Sequence, residues 1–492
     1  MKLIRINEKD NAALCVTDIR AGEELTADGI KIVSAEDIPA GHKIALCDIP
    51  AGEKVIKYGN PIGHAARDIK KGEHIHTHDL ESDLVGLEDY VYSPKSYPLP
   101  EAEPFGFSGY LRKNGEAGVR NEIWIIPTVG CSVPVAREIQ RRSEAYAADG
   151  VDGIFCYSHS YGCSQLGDDM KNTLKLLADL CRHPNAGGVL VVGLGCENGN
   201  IGELKKYLGE FDPDRIRFLE AQSEGDEIAR GAELVKELCI AASKDKRTPL
   251  GCEKLRIGLK CGGSDGFSGV TANPVIGAFT DMLVASGGSA VLTEVPEMFG
   301  AERILMDRCA SREVFERTVG LINGFREYFM SYGEKIGENP SPGNKAGGIT
   351  TLEEKSLGCI QKGGFSPVTD VLDYADRVRV PGLSLLQAPG NDLVSSTALA
   401  AAGCQIVLFA TGRGTPFSCP APTLKISSNT PLYEKKKSWI DFDAGRLLTG
   451  ISRAALAAEL RDLVIDVASG KRLKGEALDK SELAIFKNGV TL

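Results

Sequence analysis

Thiol, imidazole and carboxylate side chains directly follow short apolar runs in the first half of this 492-residue sequence. They are Cys131, His159, Cys196 and Glu197. Together these side chains suit a transition metal such as iron, because sulfur and imidazole ligands bind such ions well. We therefore predict that His159, Cys131, Cys196 and Glu197 bind a metal ion. The alternative for each cysteine is a packed thiol without a ligand role.

Polar residues also follow the apolar runs of the second half of the chain. Hydroxyl and amide groups in glycine loops suit a polyhydroxylated acid, and Arg413, between two glycines, is placed to bind a carboxylate with two hydrogen bonds. We predict that Lys260 acts as a catalytic acid or base. The predicted substrate-binding residues are Arg413, Ser264, Asp265, Asn391 and Asp392.

Three of the seven histidines, His74, His76 and His78, alternate with other residues near the N-terminus. On a strand, alternate side chains share one face, so the three imidazoles are predicted to point the same way. We predict that they complete the site, either as metal ligands or as a proton relay near neutral pH. An exposed strand face without function is the alternative.

Seven short apolar runs, most of them separated by helical patterns such as 134–147 and 168–182, indicate how these residues are positioned. Continuous apolar strands that alternate with helices are typical of a parallel sheet covered on both faces. We predict an α/β fold with a Rossmann-like parallel sheet of about seven strands and flanking helices. Ligands bind beyond the carboxyl ends of such strands. The runs are 123–129, 153–157, 188–193, 256–259, 290–293, 383–386 and 406–410.

A degenerate repeat, Asp-Ile-x-x-Gly, begins at residues 18, 37, 48 and 68. Its glycines supply the positive φ that tight turns need, and turns at this frequency indicate short strands. We predict a small all-β domain over residues 1–83. Proline-rich and acidic residues then predict an extended linker over 84–107, before a catalytic α/β domain over 108–492.

Composition and charge restrict the classes of function. A net charge of −10 argues weakly against nucleic acid as a partner, since phosphate binding needs a concentrated basic surface. No window approaches the roughly 18 apolar residues of a membrane span, and the first residues lack the apolar core of a signal peptide. The fourteen cysteines are spread along the chain, so disulfides are not expected. We predict a cytoplasmic protein without a membrane partner.

The sequence resembles the bacterial altronate dehydratases, which are relatives of galactarate dehydratase. The similarity runs essentially from end to end and includes long motifs in order. Among them are GEAGVRNE at 115–122, SHSYGCSQLGDD at 158–169, GLKCGGSDGFSG at 258–269, TEVPEMFGAE at 293–302, TGRGTP at 411–416 and WIDFDAG at 439–445.

This resemblance implies an antifreeze-like β-clip domain before a Rossmann-like catalytic domain. It also implies a homodimer that dehydrates D-altronate to 2-dehydro-3-deoxy-D-gluconate in hexuronate breakdown. The implied cofactor is Fe²⁺, with Mn²⁺ as a substitute. An iron–sulfur cluster held by the cysteines that follow the predicted strands is an alternative. Dehydration of another sugar acid, such as galactarate, and sugar-acid binding without catalysis are the alternative functions.

Overall fold

Nine short strands form the N-terminal region in the computed structural model, which describes residues 2–147, 150–478 and 482–492. They form three small sheets in the orders β1-β2-β5-β8, β3-β4 and β6-β7-β9. The strands are β1 (Leu3–Ile4), β2 (Ala12–Cys15), β3 (Glu24–Ala27), β4 (Ile30–Val33), β5 (Lys43–Ala45), β6 (Lys54–Lys57), β7 (Asn60–Ala65), β8 (His74–Ile75) and β9 (Leu80–Glu81). The predicted small β region is confirmed.

The predicted repeat organises this N-terminal module, by which we mean residues 2–83. Its isoleucines bridge in pairs, Ile19 with Ile38 and Ile49 with Ile69. The glycine of every copy adopts a positive φ, between 79° and 91°. A side chain would strain the backbone there, which explains why glycine recurs at this position.

Residues 84–105 of the predicted linker contain no helix or strand. They are held in place by contacts with helices of the C-terminal region. Glu88 lies 3.0 Å from Arg303 and 3.2 Å from Arg326. The Tyr90 hydroxyl donates to Glu302 at 2.7 Å. The linker therefore holds a fixed path along the surface.

A four-stranded parallel sheet, in the order β13-β12-β14-β15, forms the second region. A small antiparallel sheet, β11-β10-β16, adjoins it. The strands are β10 (Gly106–Leu111), β11 (Ala117–Gly118), β12 (Glu122–Pro127), β13 (Ile154–Cys156), β14 (Ala186–Gly193), β15 (Ile216–Glu220) and β16 (Thr248–Gly251). The helices are α1 (Val133–Ser143), α2 (Gly167–Cys181), α3 (Ile201–Leu208) and α4 (Glu227–Ala242).

A seven-stranded parallel sheet, in the order β19-β20-β18-β17-β21-β22-β23, forms the third region. Its strands are β17 (Arg256–Cys261), β18 (Ser289–Leu292), β19 (Val368–Leu372), β20 (Gly382–Leu386), β21 (Ile406–Thr411), β22 (Thr423–Ser427) and β23 (Phe442–Asp443). The helices are α5 (Ala272–Ala285), α6 (Glu302–Met306), α7 (Arg312–Ser331), α8 (Pro342–Ala346), α9 (Leu352–Cys359), α10 (Asp392–Ala401), α11 (Thr430–Lys435) and α12 (Arg453–Ala468).

Short 3₁₀ helices join several of these elements, and some of them lie at the ends of strands. None of the helices in the described ranges is both long and apolar enough to cross a membrane. The 3₁₀ helices are Gly130–Ser132, Glu144–Tyr146, Ala221–Ser223, Cys252–Lys254, Val295–Met298, Ile360–Gly363, Ala444–Thr449 and Lys474–Ala477.

The predicted α/β class and a parallel sheet of seven strands are confirmed, but the seven predicted strands do not form one sheet. The first three runs lie in the four-stranded sheet and the last four in the seven-stranded sheet. Strands buried on both faces look alike in sequence, so the apolar pattern does not say which of them are neighbours. The seven-stranded sheet is completed by β19, β22 and β23, which were not predicted.

Candidate active site

The order of strands in the seven-stranded sheet reverses beside β17. The chain adds β18, β19 and β20 on one side of β17 and then β21, β22 and β23 on the other. Ligands of open α/β sheets bind in the crevice beyond the strand ends at such a reversal. Here the amides of Gly412 and Arg413, after β21, donate to the Gly263 carbonyl, after β17, at 3.1 and 3.0 Å.

Asp265 holds the loop after β17 against the segment after β22, whose Asn429 amide also donates to the Gly412 carbonyl at 3.0 Å. Its carboxylate accepts hydrogen bonds from the hydroxyls of Ser268 and Ser428 at 2.9 and 2.8 Å, and from the Asn429 amide at 3.0 Å. Burial raises the pKa of Asp265, although these hydrogen bonds act in the opposite direction. A Cβ atom at Gly412 would lie 2.2 Å from the Asp265 carboxyl carbon, so glycine is required there. Asp265 therefore shapes the crevice.

The other predicted substrate-binding residues lie around the same crevice. Arg413 is exposed, and the Ser264 hydroxyl is buried without a hydrogen-bond partner in the described part of the chain. Asn391 caps α10 by accepting from the amides of Leu393 and Val394, both at 3.1 Å. Asp392 lies 2.9 Å from the Lys260 ammonium. Arg413 and Ser264 are thus the predicted contacts best placed to meet a ligand.

Seven buried residues, among them Lys260, lie beneath the rim that the carboxyl ends of the seven-stranded sheet form. We call these residues the buried charge cluster. The Lys260 ammonium also contacts Glu294. Lys362 lies 2.9 Å from the Cys261 sulfur, and Lys355 lies 2.8 Å from Glu297. Charged groups this deeply buried are tolerated only when paired in this way. The members are Lys260, Cys261, Glu294, Glu297, Lys355, Cys359 and Lys362.

The charge state of Lys260 bears on its predicted role. Burial alone would lower the pKa of Lys260, but the carboxylates of Glu294 and Asp392 outweigh it and hold the pKa well above its usual range. An ammonium held in this way gives up its proton reluctantly. Its position suits a residue that orients Asp392 better than one that removes a proton from a substrate.

A second group lies in the N-terminal module, where His42, His74 and His76 form what we call the histidine triad. One ring nitrogen from each lies within 4.8 Å of the other two. His42 Nδ1 is 2.9 Å from His74 Nε2, and His76 Nδ1 is buried without a partner among the described residues. Such an orphaned buried nitrogen is unfavourable unless a ligand satisfies it.

The imidazoles of the triad are neutral near pH 7. Burial and the neighbouring imidazoles lower the pKa of His74 to about 3. Burial, Lys43 and His42 lower that of His76 to about 4. Burial also lowers the pKa of His42. Neutral imidazole is the form that coordinates metal ions, so the triad needs no deprotonation to act as a ligand set.

His78 lies beside the triad but differs from it in exposure. Its ring centroid is 6.0 Å from that of His74, and more than half of its side chain is exposed. Asp79, which is fully buried, lies 2.9 Å from His78 Nε2 and also contacts Arg67 at 2.7 Å. A carboxylate in this position fixes the orientation of an imidazole ring.

The three predicted histidines do cluster, although not as the face of a strand. Strand β8 contains only His74 and Ile75, and a turn carries the chain from His76 to His78. His42 was missed. The sequence held a signal for it, because the residue after the repeat glycine is Glu23, Glu53 or Glu73 in the other three copies.

The N-terminal module places the triad against the rim of the seven-stranded sheet. His42 Nε2 lies 3.4 Å from the Ala346 carbonyl, next to the loop whose Gly347 carbonyl accepts from the Gly266 amide at 2.8 Å. Buried Glu354, on α9, pairs with Lys43 at 2.9 Å and Lys57 at 2.7 Å. His42 and Arg413 therefore each follow a glycine, Gly41 or Gly412, that closely approaches the segment of Asp265 and Gly266.

The predicted metal ligands lie instead on the rim of the four-stranded sheet. His159 Nε2 is 2.8 Å from the Pro127 carbonyl, and its Nδ1 accepts from the Tyr161 amide at 3.1 Å. Glu197 accepts from Thr128 at 2.6 Å and from the amides of its own loop. Cys131 and Cys196 are exposed. In the described ranges, none of the four belongs to a group of three or more residues whose potential metal-ligand atoms lie within 4.8 Å of one another.

Ferrous iron, which the resemblance implied, fits the histidine triad better than the predicted set. The triad offers three neutral imidazoles and the unpartnered His76 nitrogen, whereas both nitrogens of His159 are engaged by the backbone. Cys261, Glu297 and Cys359 also approach within 4.8 Å. However, the ammonium groups of the buried charge cluster surround them and would repel a cation.

Comparison with known proteins identifies the family. Residues 252–491 match the family described as D-galactarate/Altronate dehydratase, C-terminal. Residues 109–243 match D-galactarate dehydratase/Altronate hydrolase, second domain, and residues 1–83 match the Altronate/galactarate dehydratase SAF domain.

Three curated relatives cover nearly the whole chain. Altronate dehydratase of Bacillus subtilis is 53% identical over 99% of both chains. Altronate dehydratase of Escherichia coli is 51% identical over 100% of both. Galactarate dehydratase (L-threo-forming) of Escherichia coli is 32% identical over 95% of this chain and 93% of its own. This chain therefore belongs to the D-galactarate/altronate dehydratase family and is a sugar-acid dehydratase.

Proposed function

We propose that the protein dehydrates D-altronate to 2-dehydro-3-deoxy-D-gluconate in hexuronate breakdown, as a cytoplasmic homodimer. One observation carries the choice of substrate. The chain is 53% and 51% identical to two altronate dehydratases but 32% identical to a galactarate dehydratase. Altronate has one carboxylate where galactarate has two, so the two substrates place different demands on the charges of the crevice.

The substrate lies in the crevice between the module and the rim. Arg413 binds its carboxylate, since a guanidinium donates two parallel hydrogen bonds to such a group. The unpartnered Ser264 hydroxyl bonds to a substrate hydroxyl. Asp265 keeps the loop of Ser264 in place through Ser268, Ser428 and Asn429, and Asn429 in turn donates to the Gly412 carbonyl beside Arg413. Asp265 does not itself need to touch the substrate.

His42, His74 and His76 are the residues that would hold Fe²⁺, or Mn²⁺ in its place. When bound, the ion supplies a Lewis acid that makes the hydrogen on C2 of a 2-hydroxy acid more acidic. The pKa values of His74 and His76, lowered to about 3 and about 4, keep these ligands deprotonated at physiological pH.

His78 moves the proton. Asp79, 2.9 Å from Nε2, orients the ring so that the other nitrogen takes the C2 hydrogen. The imidazolium then gives this proton to the C3 hydroxyl, which leaves as water. The enol that remains rearranges to the 2-keto acid, and the elimination needs no other net proton. Lys260, held as an ammonium, positions Asp392 at the edge of the crevice.

The test is anaerobic turnover of D-altronate by purified protein, with added Fe²⁺ and with a chelator, measured as formation of the 2-keto-3-deoxy acid. We expect product only with the metal. Product from galactarate but not from D-altronate would discard the proposed substrate.

A second measurement tests the role of His78. His78→Gln should lower kcat by at least about 100-fold, the smallest contribution typical of a general base, without changing metal content. The matched control is His64→Gln, because His64 lies in the same module and its Nδ1 also faces a carboxylate, Asp83, at 2.8 Å. An equal loss in both variants would show a structural effect and remove His78 from the mechanism.

A further inference from the structure

Cys261 and Cys359 bring their sulfur atoms within 3.3 Å of each other inside the buried charge cluster. Cys261 ends β17, and Cys359 ends α9, 98 residues further along the chain. All fourteen cysteines are free thiols, and the proposed mechanism uses none of them. This pair is therefore a reactive group that remains without a function.

The surroundings of the pair favour a thiolate at Cys261 and a protonated thiol at Cys359. The hydrogen bond from Cys359, assisted by the Lys362 ammonium at 2.9 Å, lowers the pKa of Cys261 against the effect of burial. The same contact and burial raise the pKa of Cys359, whose sulfur also lies 3.0 Å from the Glu297 carboxylate. A thiolate beside a protonated thiol is the arrangement of a nucleophile and its resolving partner.

We propose that Cys261 and Cys359 are a peroxide-reactive dithiol that closes to a reversible disulfide. The Cys261 thiolate attacks one oxygen of hydrogen peroxide, the O–O bond breaks, and a sulfenic acid and hydroxide form. The Cys359 sulfur then attacks the sulfenic sulfur, the S–S bond forms, and the Cys359 proton leaves with the hydroxyl as water. Two electrons pass from sulfur to peroxide, and a dithiol reductant returns them.

A small cavity between the module and the rim reaches Cys359. Its lining includes Tyr58, Asp265, Lys355 and Cys359. Hydrogen peroxide is small and polar and can reach this narrow cavity when the surrounding side chains move slightly, whereas bulky thiol reagents are excluded from the folded protein. Reaction with peroxide and protection from alkylation are thus expected together.

Closure of the disulfide acts on the helix that docks the module. The sulfur atoms would move from 3.3 Å to about 2.05 Å apart, which draws the end of α9 toward β17. Glu354, which pairs with Lys43 and Lys57, lies on the same helix. Oxidation also removes the thiolate that faces Lys362. It should therefore loosen the contact between the N-terminal module and the rim.

The first experiment follows the thiols themselves and does not require turnover, so its failure is distinct from failure of the proposed function. Metal-free full-length protein is treated with hydrogen peroxide, denatured, alkylated and analysed by peptide mass spectrometry. We expect loss of alkylation at Cys261 and Cys359, a cross-linked pair of their peptides lacking two hydrogen atoms, and recovery with dithiothreitol. Full alkylation of both thiols after peroxide treatment would overturn the proposal.

A matched variant separates the roles of the two sulfurs. In Cys359→Ser, we expect Cys261 to accumulate as sulfenic acid, trapped by dimedone, because its resolving partner is gone. Cys309→Ser is the control, since Cys309 is equally buried in the same core and lies near Thr318 at 3.4 Å. Formation of the cross-link both in wild type and in Cys309→Ser, with dimedone labelling of Cys261 in Cys359→Ser, supports the assignment. Dimedone labelling at Cys309 instead would contradict it.

Discussion

The rims of the two parallel sheets carry similar residues but use them differently. On the four-stranded sheet, both nitrogens of His159 are engaged by backbone groups, and Glu197 accepts from the Thr128 hydroxyl and from amides of its own loop. On the seven-stranded sheet, Lys260, Glu294 and Asp392 meet across three strand ends, and a second module covers the edge of the crevice. The type of residue after a strand thus does not by itself show which rim binds a ligand. The pairing of charged side chains from different strands of the seven-stranded sheet, together with the module beside it, is why we propose the substrate site there.

The largest expected effect tests which rim binds the metal. His74→Ala removes one of the three proposed ligands and should weaken Fe²⁺ or Mn²⁺ binding by more than about 100-fold, the upper range for loss of a supporting residue alone. Anaerobic titration calorimetry measures this. His159→Ala should leave the stoichiometry of metal binding unchanged. The opposite pattern would move the metal to the four-stranded sheet.

Glu354→Gln breaks the contact between the N-terminal module and the seven-stranded region. It leaves Lys43 and Lys57 buried without a full counter-charge, and their side chains are at most 2% exposed. The free energy of unfolding should fall by about 3–5 kcal/mol, as measured by urea denaturation. Glu327→Gln, on the exposed face of α7, should change it by less than about 0.5 kcal/mol. Equal values for the two variants would contradict the docking role.

Arg413→Lys tests whether Arg413 binds the substrate carboxylate in the crevice of the seven-stranded sheet. Lysine keeps the charge but loses the paired donors, so kcat/KM for D-altronate should fall about tenfold, or about 1.4 kcal/mol. Arg379→Lys, in an exposed loop, is the control and should leave kcat/KM at the wild-type value. Unchanged kinetics in Arg413→Lys would place the substrate carboxylate elsewhere.

The smallest effect is expected from the double variant Cys131→Ser, Cys196→Ser. Both thiols are exposed on the four-stranded sheet, so stability should change by less than about 0.5 kcal/mol. Metal content and turnover should also stay at the wild-type level. Loss of iron together with a visible absorption band would instead favour a cluster bound at these cysteines.

The α/β class, the β-rich N-terminal region and the positions of most central strands could be predicted from the sequence, because apolar runs and turn glycines are local signals. Strand β22 was missed because Lys425 interrupts its apolar pattern, although this side chain is fully buried. Lys355 of the buried charge cluster was missed for a related reason. The charged residues of α9 indicate an exposed helix until their distant partners are known, which are Glu297 for Lys355 and Lys43 and Lys57 for Glu354.

The linker along α6 and α7 joins the N-terminal module to the seven-stranded region within one chain. The two parts of the proposed site, the histidines and the crevice, are therefore covalently connected. A ligand set supplied by a separate subunit would be lost on dilution, at a protein concentration set by the dissociation constant of the two parts. Here the module is tethered, and Glu88 and Tyr90 fix the path of the tether. Its docking is therefore governed by an effective concentration that does not depend on how much protein is present. The histidines stay beside the crevice at any abundance the cell maintains.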